Sequence, residues 1–334
     1  MTDTEELIGA FDARASRRAD RRAMFKAVLG ATAIGAGVAL ATAAEAQQVT
    51  DGDILNFALN LEYLEANFYY YAAFGTPIPA TSITGVGTPV PAATAANSSG
   101  VLYNAGARAV SFSDVSVAQY AREIAADELN HVNFLRNAIG ATRVAQPVLD
   151  IGITPTGAFS SAARAAGLPV AGTAAAPTSF DPYLNDLNFL YAAFIFEDVG
   201  VTAYRGASSL LTNKTYLDAA AGILAAEAYH AAIVRTSLDQ LAVATPAIRT
   251  ATESISNARD SLDGASDDDQ GIAQIANAVG TVSNIAPTDA NGLAYGRTAA
   301  NVLNIVYLSR AAVSMGGFFP AGVNGTIKTS NNNA

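Results

Sequence analysis

The chain has 334 residues, 51% hydrophobic and 14% charged, enough apolar material for a sizeable core and too much for intrinsic disorder. Its formal net charge of −10 leaves no basic surface to follow a phosphate backbone, so nucleic acid is excluded as a partner class. With 0 Cys there can be no disulfide, thiolate metal site or thiol nucleophile, and with 2 His any imidazole chemistry rests on His131 and His230.

The N-terminal residues are polar and mixed in charge up to Asp20. Arg21-Arg22-Ala23-Met24-Phe25-Lys26 then leads into a weakly apolar run from Ala27 to Ala44, and Ala44-Glu45-Ala46 forms an A-x-A cleavage site. This order resembles a twin-arginine export signal. The run is mostly Ala, Gly and Thr, too weakly hydrophobic for a stable span. The resemblance implies that residues 1–46 are removed and that the mature chain, starting at Gln47, is periplasmic or otherwise exported. The segment carries six basic and six acidic residues, so its removal leaves the net charge unchanged.

Beyond it, four long helices are expected. Thr50-Asp51-Gly52-Asp53 offers capping side chains, and Ile54 to Phe74 carries Leu55, Ala58, Leu59 and Glu62 at helical spacing before Gly75-Thr76-Pro77 stops the pattern. A Pro/Gly/Thr/Ala-rich insertion fills residues 75–112, longer than an ordinary helix–helix connection. Ser113 or Asp114 opens the second helix and Gly140 closes it. Residues 141–180 again lack periodicity, until Asp181-Pro182 supplies a cap and a first-turn proline for a third helix running to about Leu211. Thr212-Asn213 turns into a fourth helix ending near Thr245-Pro246. In the tail, residues 246–334, the pattern predicts an amphipathic helix from Ile248 to Leu262, a short helix through Val302 to Leu308, and packing against the bundle. Asp267-Asp268-Asp269 between them reads as a solvated loop rather than a cation site. Two helical pairs joined by a long connection describe an all-α four-helix bundle with one long crossover, in residues 47–245.

Both histidines occur as Glu-x-x-His, Glu128-Leu129-Asn130-His131 on the second helix and Glu227-Ala228-Tyr229-His230 on the fourth. Three residues apart on a helix share a face, so each pair can offer a carboxylate and an imidazole to one point. With so few glutamates, the coincidence has a chance of about 0.001. The first and third helices each place a glutamate inside an apolar face, Glu62 and Glu197, and a buried carboxylate requires a partner. Four carboxylates with two neutral imidazoles balance two divalent cations. Oxygen and nitrogen donors without thiolate favour iron or manganese, although zinc can occupy such sites.

The pairs also repeat. Residues 127–136 align with 226–235, and each helical glutamate is followed seven residues later by a tyrosine, Tyr69 after Glu62 and Tyr204 after Glu197. In this register Glu62 matches Glu197 while Glu65 matches Gly200, so Glu62 is preferred as ligand and Glu65 is a nearby spare. A buried tyrosine hydroxyl needs a partner, so Tyr69 and Tyr204 are either hydrogen-bonded to the site or ordinary core.

One glutamate on each of helices one and three, with Glu-x-x-His on helices two and four, resembles the ferritin-like di-metal carboxylate proteins. More narrowly, residues 60–66 (Asn-Leu-Glu-Tyr-Leu-Glu-Ala), residues 196–204 and Gly317-Phe318-Phe319-Pro320 resemble the bacterial ferritin-like domain proteins related to plant desiccation-related proteins. The resemblance implies a ferritin-like bundle with loop-rich insertions and a C-terminal extension. It implies two iron ions, alternatively two manganese ions, held by Glu62, Glu128, His131, Glu197, Glu227 and His230, with dioxygen or peroxide as reactant. It also implies that Asp127 supports a ligating histidine, although Ala226 stands at the matching place. The added segments argue against a closed storage cage and leave room for a small homo-oligomer. Three functions remain open: ferrous-iron oxidation or peroxide removal by a di-iron site in which Tyr69 and Tyr204 take part, a dimanganese catalase, and a non-catalytic desiccation or stress protein whose metal is structural.

Overall fold

The computed structural model describes residues 49–168, 179–277 and 280–334. The twin-arginine-type segment lies outside the described residues.

Four long helices form the frame: α1 (Asp51–Phe74), α2 (Val115–Ile139), α4 (Asp186–Ser208) and α5 (Lys214–Ala244). Each starts on a side chain that accepts from first-turn N–H groups: Thr50, Asp114, Asn185 and Asn213 respectively. A cap of this kind is worth about 1 kcal/mol. Gly75, at φ 75°, ends α1, and the left-handed region it occupies is one that glycine enters without steric cost. The start of α4 differs from the expectation at Asp181-Pro182. The Asp181 carboxylate accepts from Tyr183 N–H, and Asn188 donates to the Asp181 carbonyl, so these residues form a turn and Asn185 takes the cap.

α1 packs along α2 and α4 along α5, and the two hairpins meet through α1–α4 and α2–α5. Asp51, at the start of α1, accepts from Thr212 and Asn213 N–H at the α4–α5 turn. Asp186, at the start of α4, accepts from Ser113 and Asp114 N–H at the start of α2. The end of α2 lies beside the start of α1, where Asn56 bonds Thr142 and Val144. The chain must therefore travel the length of the bundle between α2 and α4, which is why the crossover is long. It carries α3 (Ala158–Ala165), an Ala/Ser-rich helix without a legible sequence pattern.

α1 and α4 are buried on nearly all sides, in keeping with their apolar composition, whereas α2 and α5 keep an exposed face. α5 is the one helix among the described residues long and apolar enough to cross a membrane; its Glu227, His230 and Arg235 side chains are buried within the protein.

The tail contains α6 (Ala247–Asp263), a two-stranded antiparallel ribbon of β1 (Ile275–Asn277) and β2 (Gly280–Val282), and α7 (Ala299–Val306). Phe318 packs onto the touching pair Phe196 and Phe159, with ring centroids 4.9 and 5.1 Å away. The acidic triplet is not wholly solvated. Asp269 is buried and binds Arg259 (2.5 Å) and Arg297 (3.2 Å), partners too distant in sequence for local charge pattern to reveal.

Candidate metal centre

Glu62, Glu128, His131, Glu197, Glu227 and His230 come together between the four long helices. Their donor atoms form two clusters, Glu62–Glu128–His131–Glu227 and Glu128–Glu197–His230, within each of which the atoms lie no more than 4.8 Å apart. Glu128 belongs to both. Its Oε2 is 3.8 Å from His131 Nδ1 and its Oε1 is 3.1 Å from His230 Nδ1, the placement of a bridging carboxylate. Glu62 Oε2 and Glu227 Oε1 each lie 3.4 Å from His131 Nδ1, and Glu197 Oε2 lies 3.8 Å from His230 Nδ1.

Tyr69 and Tyr204 both reach the site, crosswise. The Tyr69 hydroxyl donates to Glu197 Oε1 and the Tyr204 hydroxyl to Glu62 Oε1, so each tyrosine serves the glutamate of the other hairpin. Sequence spacing places each tyrosine on its glutamate's face but not across the bundle, which is why the cross-pairing is visible only in three dimensions. Each terminal glutamate thus has one oxygen occupied and the other, Oε2, turned to the cluster.

Those inward atoms are the test of whether metal fits. Glu62 Oε2, both oxygens of Glu128, His131 Nδ1, Glu197 Oε2, both oxygens of Glu227 and His230 Nδ1 are buried without a hydrogen-bond partner. Leaving such groups unpaired costs about 1–3 kcal/mol each. A pair of divalent cations would satisfy all of them and balance four carboxylates, so the donor set fits a di-metal centre.

The electrostatics of the protein part agree. Burial, reinforced by Glu128 and Glu227, pushes the Glu62 carboxyl up to about 8 against the pull of His131. Burial likewise raises Glu197 and Glu227, with neighbouring carboxylates adding to it. Burial opposes ionisation of Glu128, but the two imidazoles beside its carboxylate outweigh it and hold the group near 2. Burial favours neutral imidazoles, yet the surrounding carboxylates raise His131 far above the usual range and His230 to about 10. Such a cluster holds protons where cations would otherwise sit. Burial and the adjacent Glu197 and Glu62 raise Tyr69 and Tyr204 well above the usual phenol range, keeping them as hydrogen-bond donors.

Asp127 Oδ2 lies 3.3 Å from His230 Nε2, the nitrogen facing away from the cluster. Ala226 leaves His131 without the corresponding carboxylate. Glu65 is buried beside the site but is not in either cluster. Burial and then Glu227, Glu128, Glu197 and Glu62 raise it well above the carboxylate range. Gly200, the counterpart of Glu65 in the repeat, matters for the same region. A Cβ there would fall 2.5 Å from Glu227 Oε2, so only glycine lets Glu227 lie where it does; a glycine in the middle of a buried helix is the signal that could have found it.

On the exposed side, a groove of about 470 Å³ between α2 and α5 is lined by Tyr120, Glu123, Asp127, Tyr229 and His230. Solvent reaches Asp127 there, whose side chain is 44% exposed, and stops at His230, which is only 4% exposed.

Residues 50–240 match the ferritin-like domain family, more than half of the chain. The protein belongs to the ferritin-like family. It is 27% identical over 287 residues to the ferritin-like catalase Nec2 of Nesocodon mauritianus, covering 83% of this chain and 84% of that one. It is 28% identical over 193 residues to the desiccation-related protein PCC13-62 of Craterostigma plantagineum, covering 57% of this chain and 53% of the relative, so the match spans about half the length of that protein. No solved structure matches.

Proposed function

We propose that this ferritin-like protein is a di-metal oxidoreductase that oxidises ferrous iron or removes peroxide in stress protection. The observation that carries the reading is Glu128, whose two unpartnered oxygens face different histidines between terminal glutamates that tyrosines have already oriented. Iron or manganese bound there would supply redox chemistry toward dioxygen or peroxide. The chain's own contribution is positioning. Tyr69 and Tyr204 turn one oxygen of each terminal glutamate inward, and Asp127 accepts from the outer nitrogen of His230. The α2–α5 groove brings solvent up to His230 at the edge of the cluster, which favours a reactive site over a sealed structural one. The similarity to a protein named as a ferritin-like catalase supports peroxide as a reactant and keeps a manganese-loaded centre in view. The similarity to a desiccation-related protein supports a second reading, in which the metal holds the bundle together without turnover.

Metal analysis of protein from its native host, followed by assays with ferrous iron and with peroxide, tests this directly. Two metal ions per chain and turnover above that of free metal are expected. Stoichiometry below one under excess metal overturns the di-metal centre. Full loading without turnover in either assay replaces the enzyme by the structural stress protein. The order of arginine pair, apolar run and cleavage site supports export by the twin-arginine route. Replacing Arg21 and Arg22 by Lys should block it, and native mature protein still carrying Met1 would refute it.

A further inference from the structure

Between α1, α4 and α7, on the side of the bundle away from the polar groove, lies a second space of about 20 Å³. Leu64, Glu65, Val199, Gly200, Val306 and Phe318 are among its walls, and every residue lining it is buried. The carboxyl of Glu65 is its one polar side chain. A space of this size is large enough for one water-sized molecule, but a buried water needs two to four polar partners. This space offers one, so it suits a small apolar molecule.

Its position gives it a connection to the metal centre. Gly200 forms part of the wall, and a side chain there would meet Glu227 Oε2 at 2.5 Å and Glu65 Oε1 at 3.4 Å. The wall at Gly200 is thus in close contact with Glu227, a ligand in the proposed centre. Glycine is disfavoured inside a helix, and this one sits where the two hairpins depart from each other. In the repeat register Glu65 of α1 stands opposite Gly200 of α4, so a carboxyl on one side faces an open backbone on the other. The internal space forms at that break in symmetry.

We infer that this cavity is a docking site for dioxygen beside the di-metal centre. The inference rests on the redox reading and deepens it by naming the oxidant. Hydrogen peroxide, with two O–H donors and lone pairs on both oxygens, would lose its hydrogen bonds on entering walls of Leu, Val, Ile and Phe, whereas dioxygen has none to lose. Peroxide and ferrous ion have the α2–α5 groove instead, where Glu123 and Asp127 offer carboxylates.

The test uses crystals of the metal-loaded full chain pressurised with xenon, an apolar probe read by diffraction without turnover. One xenon site in the cavity is expected. Val306→Ile adds a methylene from α7, away from the ligands, and should abolish that site while leaving metal stoichiometry unchanged. Val199→Ile is the second variant should the first disturb packing. In the filled variant, ferrous oxidation at low dioxygen should slow by about tenfold, with peroxide-driven oxidation altered by less than about twofold. A wild-type crystal without xenon in the cavity overturns the inference whatever the activity. Xenon displaced with dioxygen kinetics unchanged also overturns it. Xenon bound in a fully metallated protein that consumes neither oxidant overturns the redox reading instead, and with it dioxygen as the occupant.

Discussion

The α1–α2 and α4–α5 hairpins repeat one plan and depart from it in ways that divide labour between them. In each, an aspartate at the first position of the first helix, Asp51 or Asp186, ties down the turn that opens the other hairpin's second helix. In each, a glutamate and a tyrosine seven residues later are followed, on the second helix, by Glu-x-x-His and an arginine. The residue after the glutamate meets that arginine: Tyr63 with Arg136 (2.9 Å), Asp198 with Arg235 (2.8 Å). The arginines then reach outward to different additions. Arg136 donates to the carbonyls of Thr81 and Thr84 in the insertion, and Arg235 to those of Gln270, Gly271 and Asn284 in the tail. Symmetry at the centre brings matched carboxylates and imidazoles together in two clusters. The departures from symmetry, Tyr63/Asp198, Asp127/Ala226 and Glu65/Gly200, make the two positions and their surroundings unequal.

The largest effect should come from the residue on which the two halves converge. Glu128 has an oxygen for each cluster, so Glu128→Ala should reduce metal content from two ions toward zero, while His131→Ala should lose chiefly the ion on its own side. Elemental analysis after anaerobic loading checks this. Chelation of the wild type should lower its melting temperature, with recovery on adding ferrous or manganous ion, because ligand binding to the folded state alone stabilises it. Equal losses in the two variants would dissolve the distinction between shared and terminal ligands.

The arginine pair gives the next largest contrast. Arg235 is fully buried. Arg235→Met takes one of two cations from Asp198, which keeps Arg259 at 3.1 Å, and the donor from three carbonyls, an effect of about 3 kcal/mol on stability. Arg136→Met leaves a neutral phenol and two carbonyls short of a donor, about 1–3 kcal/mol. Chemical denaturation of the two variants compares them. Equal losses would show that the tail is held no more firmly than the insertion.

Much of this plan was legible in the sequence, since a period of 3.6 and a strict Glu-x-x-His spacing are local facts. Capping residues located α1, α2 and α5 closely, and the repeat selected Glu62 over Glu65. What escaped was settled by contacts between distant residues. Asp181 looked like a cap but is engaged by Tyr183 and Asn188, α3 has no periodic charge to announce it, and Asp269 is buried only because Arg259 and Arg297 arrive from elsewhere in the tail. The cross-pairing of the tyrosines escaped for the same reason.

Asp127 tests the asymmetry of the metal positions themselves. A carboxylate on the outer nitrogen of a ligating histidine raises its basicity and commonly changes metal affinity by about 10-fold or more. Asp127→Asn should weaken the position served by His230 by about that factor and leave the other unchanged. Ala226→Asp, which offers His131 the same support, should narrow the gap. Anaerobic titration calorimetry with manganous ion resolves the two affinities. Equal affinities, insensitive to Asp127→Asn, would remove the functional content from this departure.

The smallest effect concerns the chemistry of the two tethers. Arg136 holds the insertion through neutral acceptors, whereas Arg297, which ties the tail to α4 by donating to Thr202 Oγ1, is surrounded by Asp263, Asp269 and, at 3.6 Å, Asp260. Burial, then repulsion from Asp269 and Asp263 against the pull of Arg297, raises the Asp260 carboxyl from 3.8 to about 7. The folded state therefore binds this proton more tightly than the unfolded chain. Its contribution to stability is complete below about 3.8 and is lost as pH rises through about 7. Asp260→Asn, which imitates the protonated form, should flatten this part of the pH profile and exceed the wild type in stability at pH 8 by about 1 kcal/mol, after allowance for solvent screening. Denaturation curves between pH 4 and pH 8 compare the two. An unchanged slope would mean that the Arg297 tether is no more sensitive to pH than the Arg136 tether, and the contrast between the two additions would reduce to the number of hydrogen bonds each receives.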